Sequence, residues 1–460
     1  MAAQPSPVPQ LRRREFLQVG LASFVGYHLL PTAAPLRVQA RERAKPRSSA
    51  DFCIFLFLMG GAPQLDTFDV KEGKWTPPDF DIRTVRPGIR MPYGLFPGLS
   101  GKLDHLVLAR SVEAWESVHE RGQYYIQVGR AFSAARAGEM PSVGSVVAYE
   151  FAGRRKTTDF LPPFVGMNFP PDGAGLAGPG MLPATFAPLP LTVKADADLG
   201  FVVPEAERAR FRRRWDFLQR LDESLRSGKA PLGRPLRDYH DYYAGAFEMM
   251  KRPESGKVLS IPDADHKRYG SSGLGDACVV ARNLVAADAG THFIAIAQTG
   301  WDLHANVYAG HYKLCKELDA AFTSLLDDLA KTRDKAGRTL LERTLIVCMG
   351  EFGRTPGELN ANKGRDHYRY ASTTVFAGGG VKGGRALGAT DATGAKVVEP
   401  GWHKKRSIFT EDIVATIYSA LGIDWTKKIT NTPSGRAFYY VEKSSATDYV
   451  SPAEVTELFA

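Results

Sequence analysis

Charged and imidazole side chains gather in this chain just past runs of apolar, often β-branched residues. Thr344-Leu345-Ile346-Val347 leads into Gly350-Glu351-Phe352-Gly353-Arg354-Thr355-Pro356, and His292 to Ala297 leads into Gly300-Trp301-Asp302-Leu303-His304. Asp366-His367 follow a short way beyond Arg354, and Phe52 to Met59 ends in Gly60-Gly61, with Asp66 close behind. Carboxylates, imidazoles and a guanidinium can exchange protons, hold a cation or meet an oxyanion. In open α/β sheets the crevice beyond the carboxyl ends of the strands is where ligands bind. Asp302, His304, Glu351, Arg354 and His367 therefore read as one polar site assembled from distant segments. Each residue also has a plainer reading. Asp302 suits a helix cap, Glu351 and Arg354 an ion pair holding a turn, and His367 a loop histidine oriented by Asp366. Asp66 stands where an α/β metallohydrolase puts a ligand, and also where an Asp would cap a turn. His119, near a helix start, could meet an anion beside free backbone N–H groups or serve packing alone.

The elements that must position these residues alternate. Phe52–Met59 reads as a central buried strand, Leu103–Arg110 as a second parallel strand, and Leu161–Met167, His292–Ala297, 344–349 and Ser372–Phe376 as further strands. Between them lie helical patterns at Tyr124–Val128, from Pro141 to about Gly153, at Gly273–Ala287, Tyr308–Thr332 and Glu411–Leu421. This spacing predicts an α/β fold with a mostly parallel central sheet and helices on both faces. Residues 168–265, rich in Gly and Pro and then in helix-forming charged residues, read as a cap or insertion. The Arg-rich run at 208–215 is most simply a solvated helix face.

With 460 residues, 44% hydrophobic and 24% charged, the composition is that of an ordinary globular protein. The net charge of +9 invites a nucleic-acid reading, but eight Arg or Lys against two Glu lie in the first fifty residues. The remainder is nearly balanced and has no basic stripe with interleaved aromatics, which excludes nucleic acid as a partner class. Cys53, Cys278, Cys315 and Cys348 lack metal-like spacing and read as buried free thiols. Arg12-Arg13-Arg14-Glu15-Phe16-Leu17 carries a twin-arginine export pattern. The apolar stretch from Leu17 to Leu30 is too short to span a bilayer, and Val38-Gln39-Ala40 has cleavage-site spacing. Residues 1–40 are accordingly expected to be a signal peptide, 41–50 a linker, and 51–460 the folded chain, with no transmembrane helix and a periplasmic or extracellular destination.

Seven blocks in order resemble the bacterial family called domain of unknown function 1501, a sulfatase-like branch of the alkaline phosphatase superfamily. They are Gly60-Gly61 with Leu65 to Asp69, Pro141 to Ser145, Gly300 to His304, Gly350 to Pro356, Gly364 to His367, Ala377 to Gly384, and Ala415 to Ile417 with Leu421 to Asp424. The resemblance implies an exported hydrolase of phosphate or sulfate esters built around divalent metal. Asp66, Asp302, His304 and His367 would bind one ion, with zinc, calcium and manganese all open. Glu351 would be a further ligand or general base, Arg354 would clamp substrate oxyanions, and His119 would be nucleophile or donor. Phe352 stands where a second-metal histidine is expected, which points to a single ion. The partner class is an anionic small molecule or saccharide. The alternative is a non-catalytic protein that keeps the pocket to bind an anionic saccharide or a protein partner.

Overall fold

The structure is a computed structural model that describes residues 38–40, 44–171, 174–195, 203–223, 233–442 and 451–460. The export pattern lies outside them. Its framework is an eight-stranded sheet. The strands are Phe52–Leu58 (β1), Leu106–Val112 (β2), Phe164–Met167 (β3), Leu189–Leu191 (β4) and Phe293–Gln298 (β5). After them come Thr344–Met349 (β6), Gly353–Arg354 (β7), His367–Tyr368 (β8), Ser372–Ala377 (β9) and Arg385–Leu387 (β10). β7 and β8 form a small separate hairpin; the main sheet runs β10-β2-β9-β6-β1-β5-β3-β4.

β1 is central because it is apolar on both faces. Phe52, Ile54, Leu56 and Leu58 enter one core, and Cys53, Phe55 and Phe57 the other. That period of two is what a strand sandwiched between helix layers requires. Each such side chain contributes about 1.5–3 kcal/mol by leaving water. β5 and β6 flank β1 in parallel, with Cys53 opposite both Phe293 and Leu345. The first core is closed by Gly273–Ala287 and Val307–Lys331, the second by His119–Val128, Val143–Phe151 and Thr410–Ala420. In chain order these helices, with Glu205–Leu221 and Gly233–Met250, are α1 (119–128), α2 (143–151), α3 (205–221), α4 (233–250), α5 (273–287), α6 (307–331) and α7 (410–420). Ser142 and Ser272 start α2 and α5 by accepting the amides of Ser145 and Gly275.

The sheet is mostly parallel, and β9 is the exception, running antiparallel to both β2 and β6. The cause is the segment before it. Residues 350–371 contain no helix to carry the chain back to the amino end, so β9 starts at the carboxyl end where that loop leaves it. The stretch read as one insertion also supplies β4, an edge strand of the main sheet paired parallel with β3. All four cysteines are buried and free. Among the described residues no helix is long and apolar enough to cross a membrane.

Candidate metal centre

The carboxyl ends of β1, β5 and β6 meet at Gly60. Its φ of +109° suits glycine, and a Cβ there would collide with the Asp302 amide nitrogen. This close approach lets one peptide serve three loops. The Gly60 amide donates to both carboxylate oxygens of Glu351, at 3.0 and 3.1 Å, while its carbonyl accepts from Arg354. Trp301, fully buried, anchors the β5 loop by donating its indole N–H to Gln298 Oε1 at 3.2 Å. Asp302 is thereby turned outward. The β7–β8 hairpin sets His367 opposite Arg354, and α1 presents His119 from its first turn. Gly122 in that helix leaves room for the Glu351 side chain, whose Cβ a methyl group there would meet at 3.2 Å.

These supports bring three imidazoles to one carboxylate. The Nε2 atoms of His119, His304 and His367 lie 3.1, 2.9 and 3.4 Å from Asp302 Oδ1. The four ligand atoms are all within 4.8 Å of one another. Each ring is held from behind. His119 Nδ1 is 2.7 Å from Glu351 Oε1, His304 Nδ1 is 2.7 Å from Asp366 Oδ1, and His367 Nδ1 is 2.7 Å from the Ser117 carbonyl. Three acceptors place the proton on all three Nδ1 atoms, so every inward Nε2 presents a lone pair. Such carboxylate- or carbonyl-backed imidazoles are the arrangement metal-binding histidines use.

The residues fit a cation. His119 Nε2 is buried and has Asp302 Oδ1, 3.1 Å away, as its one polar neighbour among the described contacts. His304 and His367 Nε2 approach to 3.0 Å, which two lone pairs would resist without positive charge between them. Asp302, Glu351 and Asp366 against Arg354 leave two negative charges, which a divalent ion would neutralise. Arg354 Nη2 reaches Asp302 Oδ1 at 2.5 Å, so the guanidinium already supplies one positive charge at this carboxylate.

Burial would lower the His119 pKa, but hydrogen bonding to Glu351 and the charges of Glu351 and Asp302 raise it above the usual histidine value. Burial acts the other way on Asp302, yet Arg354 and His119 hold its carboxyl well below the usual carboxylate range. Burial depresses the His367 pKa, and the neighbouring charges of His119 and Arg354 add to that, outweighing the Ser117 carbonyl and Asp302. The set is open on one side, since the Asp302 and His304 side chains are each 44% exposed. It is closed on the other by Phe352, whose ring packs 4.9 Å from His119 and 4.8 Å from His367.

The family model described as "Protein of unknown function (DUF1501)" matches residues 50–449. The chain belongs to that family. No curated protein matches it. Among solved structures, an alkaline phosphatase superfamily protein from Vibrio parahaemolyticus is similar at 11% identity and a TM-score of 0.36, covering 93% of this chain and 78% of that one. The PsFucS1 sulfatase from a Pseudoalteromonas species aligns at 11% identity and 0.37, over 83% and 68%. The lipoteichoic acid synthase LtaP from Listeria monocytogenes gives 10% and 0.35, over 84% and 76%. At these values the likenesses are loose and say nothing about activity.

In this DUF1501 chain the sequence-derived site residues separate into two groups. Asp302, His304 and His367 come together as expected, and His119 joins them as a ligand candidate, where a nucleophile or donor was expected. Asp66 does not join them. It is buried against Arg365, which donates to its two oxygens at 2.6 and 3.2 Å, so its lone pairs are spent in an internal ion pair. Burial raises the Asp66 pKa more than Arg365 lowers it.

Glu351, 1% exposed, is filled by Gly60, His119 and Gln123. It positions His119 and does not reach the open side as a base. Arg354, also 1% exposed, donates to the carbonyls of Gly60, Gly61 and Arg365 as well as to Asp302. It is not free to clamp a substrate. Sequence reasoning paired Asp366 with its neighbour His367; the structure pairs it with His304. The Ser117 carbonyl carried no signal, because a backbone acceptor has no residue type to betray it.

Proposed function

We propose that this chain is an exported, metal-dependent hydrolase of phosphate or sulfate esters, with His119, Asp302, His304 and His367 binding one divalent ion. The observation that carries the reading is the convergence of three Nε2 atoms on Asp302 with every Nδ1 held by an acceptor. Three imidazoles and one carboxylate favour zinc or manganese over calcium, which takes six or more oxygen ligands. Arg354 stands in for a second cation at Asp302, so the centre is mononuclear. Such an ion, when bound, supplies Lewis acidity toward an ester oxygen and lowers the pKa of a coordinated water.

The protein's own part is positional. Asp302 and His304 form the open edge where an anionic group can approach. Glu351 and Asp366 keep the ring protons on Nδ1, and Phe352 keeps water from the inner side. The substrate class is an anionic ester on a small molecule or saccharide. The first forty residues are read as a twin-arginine signal, for which Arg13→Lys with Arg14→Lys should hold the chain in the cytoplasm.

The test is turnover of aryl phosphate and aryl sulfate by zinc- or manganese-loaded protein, beside Asp302→Ala. The reading expects metal-dependent turnover that Asp302→Ala abolishes. Turnover unchanged in that variant would refute it. One observation favours a second reading: Arg354 is consumed internally, so its guanidinium is not free to meet a substrate oxyanion. On that reading the metal-bearing pocket binds an anionic saccharide or a protein partner without turnover. Metal-dependent binding with no hydrolysis of any ester would select it.

A further inference from the structure

Two segments that carry metal-site histidines also build a strip of surface beside them. Residues 114–118 run into His119, and residues 368–370 run out of His367. The Ala114 amide ties the segments together by donating to the Arg369 carbonyl at 2.8 Å, and His367 Nδ1 does so by donating to the Ser117 carbonyl. Among the described residues nine large apolar side chains are exposed, and three of them, Trp115, Val118 and Tyr370, lie on these two short segments. Scattered exposed apolar residues are ordinary; three gathered at one site are not. Phe409 stacks on the Trp115 indole at 4.6 Å, yet 40% of Trp115 stays exposed. The strip also carries Arg369, which is exposed. Its Nη1 donates to the Trp115 carbonyl at 3.4 Å and its Nη2 to the Tyr370 hydroxyl at 3.1 Å, with Cζ 4.9 Å from the centre of the Tyr370 ring. A carbonyl, a hydroxyl and a ring face thus fix this guanidinium, and among the described residues no carboxylate pairs with it. The neighbouring Arg121 differs, being spent on Glu116 at 3.0 Å. Two of the five N–H donors of Arg369 are used, which leaves three for a ligand.

We infer that Arg369 is the contact for a second acidic group on the substrate, and that the substrate is therefore an ester of an acidic sugar. The inference rests on reading the metal centre as an ester site. A guanidinium held only by neutral groups keeps its charge for an outside anion, and its fork suits a carboxylate or a second sulfate. Arg369 touches none of the four ligand side chains, so the anion it meets is separate from the group seated at the cation. The gap between the two is short. The Trp115 and Ser117 carbonyls, which receive Arg369 and His367, are two residues apart and thus at most about 7 Å from one another along the chain. One sugar ring bearing two acidic groups spans such a gap, with its apolar face over Trp115 and Val118. Arg354, locked inside, leaves this role open.

The test is binding, with turnover followed beside it. Zinc- or manganese-loaded protein is titrated calorimetrically with glucuronic acid 1-phosphate and with glucose 1-phosphate, two sugar esters that differ by one carboxylate. The acidic ester should bind about ten- to hundredfold more tightly, the gain expected of hydrogen bonds to a charged group. In Arg369→Gln, compared at equal metal content and equal melting temperature, that preference should vanish. Arg369→Lys should restore part of it, since it returns the charge without the fork. The inference is overturned if the wild type binds the two esters equally, if it binds neither, or if Arg369→Gln keeps the preference. A preference for the acidic ester without hydrolysis of either would uphold the Arg369 contact and fail the hydrolase reading. Hydrolysis of both esters at equal KM would do the reverse.

Discussion

At the scale of single residues, the site separates side chains that face the open edge from side chains that hold them. Glu351 belongs to the second kind. Replacing it with Gln keeps the shape but substitutes a neutral amide for the carboxylate behind His119. Metal affinity should fall ten- to hundredfold, read by calorimetric titration, while Asp302→Asn should fall further. An unchanged affinity in Glu351→Gln would remove it from the site. Asp66 tests the opposite assignment. Asp66→Asn would leave Arg365, which is fully buried, without its carboxylate partner, at a cost of about 3–5 kcal/mol. Denaturant melts should show that loss, while metal stoichiometry of the folded protein stays the same. Sequence alone placed Asp302, His304 and His367 near one another because all three follow strand ends, where the topology leaves few alternatives. It misplaced Asp66 because its consumer, Arg365, lies far along the chain, and nothing local marks a buried ion pair.

The elements explain which parts of the fold were legible. β1, β5 and β6 were readable because both faces of each strand are covered, which leaves continuous apolar runs. The helices α5, α6 and α7 were readable within one residue from apolar periodicity, and only α5 of the three is capped by a serine, Ser272. The reversed direction of β9 was not, since a strand's sequence records its burial and not its polarity in the sheet. What it does record is the missing helix between β6 and β9. The same loop, residues 350–371, carries Glu351, Arg354, Asp366 and His367, so the absence of a crossover is what concentrates site residues at one end. Gly60 ties that loop to β1 and β5. Gly60→Ala should cost about 1–3 kcal/mol from its positive φ alone, and the collision with the Asp302 amide should displace the ligand loop as well. A thermal melt together with a metal titration checks this. Full metal binding in a destabilised Gly60→Ala protein would show that the β1 turn does not position the site.

The whole molecule responds to pH and metal in opposite directions. In the metal-free chain the raised His119 pKa contributes stability fully present below the unfolded histidine value, about 6.5, and lost as pH rises through the folded value. The depressed Asp302 pKa contributes stability above the unfolded carboxylate value, lost only in strong acid. A metal ion needs His119 Nε2 deprotonated, so its stabilisation should grow as pH rises through that same His119 value. It should reach about 4 kcal/mol where free metal is a thousandfold above Kd. Melting curves with and without chelator across that range should therefore diverge with rising pH, and parallel curves would argue against ligation by His119. The measurement that bears most directly on the central claim is the metal content of the purified wild-type chain, by elemental analysis, beside Asp302→Ala. The structure predicts one equivalent of zinc or manganese in the wild type and none in the variant at equal folding; a metal-free wild type that takes up no ion on titration would contradict it.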